Sequence, residues 1–231
     1  MEKHRHDFEK RYFEITAKMI LENVYGESLG ALTISDKPDI VSLDKSIGIE
    51  VTRIIRPGQK IREDYFEKSL VGKQHKHLDI AGIKRFEKDG YEVLTNERLH
   101  NVKNDDTVTA YITPAFELTT QPAKDAIIKK LDKINSGEFQ TVGKLYLYLI
   151  ADYVFNYSEG NIQEIVECFV DENTKADSKF NGLFIDNWEQ LYRYDYATHE
   201  TKKVELNELH SSICDEARKL ADLGEDDDTS R

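Results

Sequence analysis

The sequence predicts an α/β domain with a central mixed sheet flanked by helices. Three observations lead there. Residues 144–155, KLYLYLIADYVF, form the most apolar run of the chain, rich in the aromatic and branched side chains of a buried central strand. Residues 40–43 and 47–55 are two further β-prone runs, joined by Asp44-Lys45-Ser46 as in a hairpin. Segments of helical periodicity precede, separate and follow these strands.

The first of those segments, residues 6–25, sets Phe8, Tyr12, Ile15 and Met19 on one stripe and Phe13, Ala17, Ile20 and Val24 on another. The helix therefore packs on two sides, and Gly26 is expected to stop it. Glu14 shares a face with Leu21 and Tyr25, so it need not be fully solvated. A first strand follows at residues 29–34, with Gly30 marking an irregularity. The hairpin comes next, and Arg56-Pro57-Gly58 closes its second strand.

Residues 60–88 read as mostly helical, with breaks near Gly72 and Gly82 and a turn at Asp89-Gly90. Short strands are expected at 91–94 and 108–112, around the polar stretch 96–106. This block, about residues 59–118, reads as an insertion. Its charge and its aromatic residues Tyr65, Phe66 and Phe86 suit contact with a substrate or with a partner.

Thr119-Thr120-Gln121-Pro122 opens the next helix, with a hydroxyl cap ahead of a first-turn proline. The helix runs to about Asn135 and ends near Gly137. Lys130 falls inside its apolar stripe of Ala123, Ile127 and Ile134, so it either extends to water along its stem or reaches a carboxylate. The apolar strand then ends near Asp152. A helix is expected at 161–170, a strand pair at 180–188 and 189–194 turning near Asp186-Asn187, and an amphipathic helix at 207–223. Residues 225–231 read as a mobile acidic tail, which leaves 1–224 as one domain.

The 231 residues are 39% hydrophobic and 33% charged, the balance of a soluble globular protein with a substantial core. No apolar run nears the roughly 18 residues of a membrane span, so no membrane partner is expected, and the first residues lack a signal-peptide core. Cys168 and Cys214 stand far apart without a metal-ligand spacing, which points to reduced thiols and a cytoplasmic location. The net charge of −12 weighs against a general affinity for polyanions. Between residues 73 and 88, however, Lys73, Lys76, Lys84, Arg85 and Lys88 outnumber Asp79 and Glu87. His75 and His77 lie two apart, about 200° around a helix, and do not share a metal. No phosphate-cradling glycine loop, nucleophile elbow or zinc spacing occurs.

The chemistry gathers in residues 36–53, DKPDIVSLDKSIGIEVTR. Glu50 stands between Ile49 and Val51 in a run that reads as buried strand, where a carboxylate is costly unless something neutralises it. Asp39, directly after Pro38, can converge on the same point across the hairpin. A divalent cation suits such a pair. The bland alternatives are a turn aspartate, a carboxylate on an open sheet face and a snorkelling Lys130.

Pro38-Asp39, ten residues, then Glu50-Val51-Thr52 on a strand, with a helix glutamate before and a helix and strand after, resembles the PD-(D/E)xK nuclease superfamily. The resemblance spans the first helix to the strand at 145–153 and implies a restriction-endonuclease-like fold. It implies a nuclease that uses Mg²⁺ (or Mn²⁺) to hydrolyse DNA. Asp39 and Glu50 would be metal ligands, Val51 would offer its backbone carbonyl, and Glu14 would be the first-helix acid, with Glu9 and Glu22 as poorer matches. Thr52 departs from the motif, standing where a lysine activates water, and a hydroxyl brings no positive charge. Some members of the superfamily carry this lysine on the following helix, which points to Lys130 and next to Lys133. So acidic a nuclease would need a homodimer or a partner protein to grip a duplex. The alternative is the same fold with a silent site, acting as a protein-binding or inhibitory module. An acidic DNA mimic would need acids ordered on one face, whereas the acid run here lies in the tail.

Overall fold

Residues 144–151 do form the centre of a sheet. The computed structural model describes residues 2–56, 58–78, 80–88, 90–112, 118–137, 142–151 and 156–226, which fall into two units, residues 1–54 with 119–231 and residues 55–118. The first unit begins with α1 (Glu2–Leu29), β1 (Leu32–Ile34), β2 (Ile40–Ser42) and β3 (Ile47–Ile54). The second holds α2 (Gln59–Tyr65), a π-turn at Phe66–Leu70, a 3-10 turn at His75–His77, α3 (Ile80–Lys88), β4 (Glu92–Thr95), α4 (Asn96–His100) and β5 (Val108–Ile112). The first then resumes with α5 (Gln121–Asn135), β6 (Lys144–Ala151), α6 (Glu159–Lys175), β7 (Gly182–Asp186), β8 (Gln190–Asp195), β9 (Glu200–Glu205) and α7 (Glu208–Asp226).

The sheet of the first unit has seven strands in the order β1-β2-β3-β6-β7-β8-β9. β3, β6 and β7 run parallel, while the hairpins on either side are antiparallel. The fold is thus α/β with a mixed sheet between helices. β6 is buried at every residue after Lys144, as a parallel strand covered on both faces should be. Ile49 and Val51 of β3, Tyr146, Tyr148 and Ile150 of β6 and Phe184 of β7 pack with Ala17, Ile20 and Leu21 of α1 and Ile213 of α7. The period of two sends Glu50 to the opposite face, where it meets Lys130 of α5.

Several elements differ from the sequence reading. α1 does not stop at Gly26; it is interrupted at Tyr25, whose φ of −128° is not helical, and continues to Leu29. The stop is Gly30, at φ +70°, so the first strand starts only at Leu32. Thr120 is the N-cap residue of α5, but its hydroxyl makes no capping bond; it donates instead to Glu164 Oε2 at 2.8 Å. α6 starts earlier and ends later than residues 161–170, opened by a capping box between Ser158 and Asn161. β9 was not expected at all: five of its six residues are exposed, so this edge strand shows no alternation of apolar and polar positions. α7 runs on to Asp226, into the stretch read as tail. The expected end of the apolar strand near Asp152 lies outside the described residues, as do residues 227–231 of the tail.

In the second unit Gly72 turns the chain at φ +74°, but α3 runs through Gly82 without a break. Of the aromatic residues expected at a contact surface, Phe66 and Phe86 are turned inward instead. Phe66 and Phe86 are buried in the unit's own core with Tyr91 and Val108, and Tyr65 and Tyr111 pack against them. Among the described residues no helix is long and apolar enough to cross a membrane.

Candidate metal centre

The hairpin of β2 and β3 builds the site from its backbone outward. Ile40 of β2 is registered against Ile49 of β3, and β2 begins there. Val51, two residues further along β3, therefore has no backbone partner from β2. Its N–H is taken by Asp39, whose Oδ2 accepts it at 2.8 Å. Its carbonyl is taken by Lys130, whose Nζ donates at 3.2 Å. Lys130 Nζ also donates to Glu50 Oε1. Gly48 lets the head of the hairpin close, since a Cβ there would stand 2.6 Å from Pro38 Cγ, the residue that presents Asp39.

Asp39 and Glu50 are each 5% exposed and Glu14 is 6% exposed, so three carboxylates are held almost wholly out of water. Lys10, one turn before Glu14 on α1, joins two of them: its Nζ lies 3.2 Å from Glu14 Oε1 and 3.5 Å from Asp39 Oδ1. Burial pushes the Glu14 carboxyl up to about 7, and the neighbouring Asp39 charge adds to this while Lys10 opposes it. Burial also raises Glu50, with Lys130 pulling back and Asp39 adding to the rise. Lys133 acts on Glu50 in the same sense as Lys130, more weakly.

Asp39, Glu50, Val51 and Lys130 are thus brought together from residues up to 91 positions apart, and Glu14 joins them through Asp39 and Lys10. Thr52 shares the Glu50 face of β3 by the period of two; it is half-buried, opposite Leu149 of β6, and no hydrogen bond joins it to these residues among those described. Glu22 bonds Lys18 and accepts the N–H of Leu32 at 3.2 Å, which ties α1 to β1. Glu9 is half-buried on α1. Sequence reasoning missed Lys10. Its signal was the i, i+4 spacing to Glu14, a common pairing on any helix surface.

Among the described residues no group of three or more His, Cys, Asp or Glu side chains is arranged to hold a metal ion. The donor set still fits a hard cation that keeps several waters. Mg²⁺ is commonly bound through one or two carboxylates, and Asp39, Glu50 and the Val51 carbonyl supply such oxygens. Glu14 Oε1, buried beside Asp39 with Lys10 Nζ at 3.2 Å, is a further carboxylate oxygen for such a cation. No family model, curated protein or solved structure matches the chain.

Proposed function

We propose that the protein is a metal-dependent nuclease that hydrolyses phosphodiester bonds of DNA, on a restriction-endonuclease-like fold of the PD-(D/E)xK kind. The observation that carries this reading is the position of Lys130. Its Nζ rests on both Glu50 and the Val51 carbonyl, where a lysine two residues beyond the glutamate would act were Thr52 a lysine. Asp39, Glu50 and the Val51 carbonyl would hold Mg²⁺ or Mn²⁺. When bound, the ion lowers the pKa of water and neutralises phosphoryl oxygens. Lys130 brings the positive charge that steadies the developing negative charge, and Glu14 and Lys10 set the charge around Asp39.

The second unit is assigned the phosphate backbone. Lys and Arg balance Asp and Glu over residues 55–118, so the whole −12 resides in the rest of the chain. Lys73, Lys76, Lys84 and Lys88 are exposed there, cations that would meet phosphates at moderate salt.

The test is cleavage of a panel of single- and double-stranded DNA and RNA by the purified chain with Mg²⁺ or Mn²⁺. Cleavage of DNA is expected, and Asp39→Ala, Glu50→Ala or Lys130→Met each to lower the rate by roughly 10²-fold or more. Activity retained in Asp39→Ala and Glu50→Ala would sink the site assignment. A second reading has its own support: the lysines already neutralise the carboxylates, and Thr52 lacks the motif charge. On that reading the site is silent and the fold serves as a protein-binding or inhibitory module, recognised by the absence of cation binding that depends on Asp39 and Glu50.

A further inference from the structure

A second buried cluster, away from the carboxylates above, joins the end of β7 to α7. Asp186 is wholly buried. Its Oδ2 accepts the Tyr148 hydroxyl at 3.1 Å and its Oδ1 accepts the Trp188 backbone N–H at 3.1 Å. His210, 3% exposed, sets Nε2 at 3.2 Å from Asp186 Oδ1. One turn further along α7, Cys214 Sγ lies 3.5 Å from the other nitrogen, His210 Nδ1. Tyr12 of α1 faces the same sulfur. Trp188 covers the imidazole, with ring centroids 4.5 Å apart. In the turn between β7 and β8 it adopts φ +65°, a left-handed conformation that bulky residues rarely take.

The order of groups is nucleophile, base and orienting carboxylate, each in hydrogen-bond reach of the next. Burial works against charging His210, but the hydrogen bonds to Asp186 and then to Cys214 prevail and lift it to about 10. An imidazolium donates from both nitrogens, with Asp186 in reach of Nε2 and the Cys214 sulfur in reach of Nδ1. A sulfur beside a cationic imidazole is the setting in which cysteines react.

We propose that Cys214 is a modification site, a thiol that peroxides oxidise to a sulfenic acid with His210 as its proton partner. The sulfur electron pair attacks one peroxide oxygen, an S–O bond forms and the O–O bond breaks. Sulfur is oxidised by two electrons and the peroxide is reduced by two. The departing oxygen takes the proton from His210 Nδ1, which regains one from the thiol, and leaves as water, so thiol and hydrogen peroxide become sulfenic acid and water. At 8% exposed, Cys214 admits a reagent the size of hydrogen peroxide more readily than a bulky disulfide. This inference is independent of the nuclease reading.

Cys168 is the internal control. It is more exposed than Cys214, yet burial, with Glu172 and Asp171 adding, raises its thiol against the opposing charge of Lys124. The experiment exposes the full chain to hydrogen peroxide, traps sulfenic acid with dimedone and compares labelling of the two cysteines by peptide mass spectrometry. Cys214 is expected to label roughly tenfold faster than Cys168 despite its lower exposure. His210→Asn and Asp186→Asn, checked for folding by circular dichroism, are each expected to remove that lead. Labelling of Cys168 at the same rate as Cys214 or faster, in the unmutated protein, would overturn the proposal, and so would an unchanged ratio in a folded His210→Asn.

Discussion

Lys130→Met is the most informative single change, because it removes the ammonium and keeps a stem of similar length. In the parent protein the Lys130 side chain is 12% exposed and that of Glu50 6%, so the pair is nearly buried. Removing one partner of a buried pair costs about 3–5 kcal/mol, because the other charge is left unpaired. The slight exposure of Lys130 favours the lower end, about 3 kcal/mol at pH 8. That includes the Val51 carbonyl, which loses its donor. The loss must depend on pH. Glu50 already binds its proton more tightly in the folded chain than in the unfolded one, so its contribution falls as pH rises through the folded-state value. Without Lys130 the carboxyl rises further, and the variant escapes the penalty at acid pH by protonating. Urea unfolding of both proteins at pH 5 and pH 8 is the assay. The deficit is expected to be near 3 kcal/mol at pH 8 and much smaller at pH 5, with Lys130→Met/Glu50→Gln recovering most of it. An unchanged midpoint at pH 8, or a deficit flat with pH, would refute the buried pairing.

Two further changes probe the packing around the site and the sheet. Glu14 stands at about 7 in the folded chain against an ordinary value of 4.5, so its stabilising contribution is present below the ordinary value and lost as pH rises through 7. Glu14→Gln should therefore match the parent protein at acid pH and exceed it in stability above pH 7; lower stability at pH 8 in a pH-dependent unfolding series would contradict this. Asn173, wholly buried, bonds both backbone groups of Phe180, donating to its O at 2.9 Å and accepting from its N at 2.9 Å. Asn173→Ala should cost about 3 kcal/mol through the two unsatisfied groups it leaves, and a variant of parental stability would show that water or another side chain replaces the amide.

What could be read from the sequence was whatever burial writes into periodicity. The apolar run of β6 after Lys144, the Lys130 position within the stripe of α5 and the hairpin around Glu50 were all legible in this way. β9 was illegible because an exposed edge strand has no apolar face to display. Gly82 misled because a glycine inside a helix costs only about 1 kcal/mol, which tertiary packing overrides. Thr120 misled because its hydroxyl found Glu164, 44 residues away, in place of a local N–H. In the site, anomalous charges on apolar faces pointed to Glu50 and Lys130, and Asp39 was reached by its place after Pro38, across the hairpin from Glu50. Lys10 carried no such anomaly, since half its side chain is in water. The His210–Asp186 pair was equally hidden, because only the end of β7 brings Asp186 to α7.

In the proposed function Asp39 and Glu50 form, with the Val51 carbonyl, a site for a divalent cation. Isothermal calorimetry of Mn²⁺ with the parent chain, Asp39→Ala and Glu50→Ala tests this without requiring a substrate. Saturable binding by the parent chain, lost in both variants, is the expected result. No binding, or binding equal in all three proteins, would contradict it.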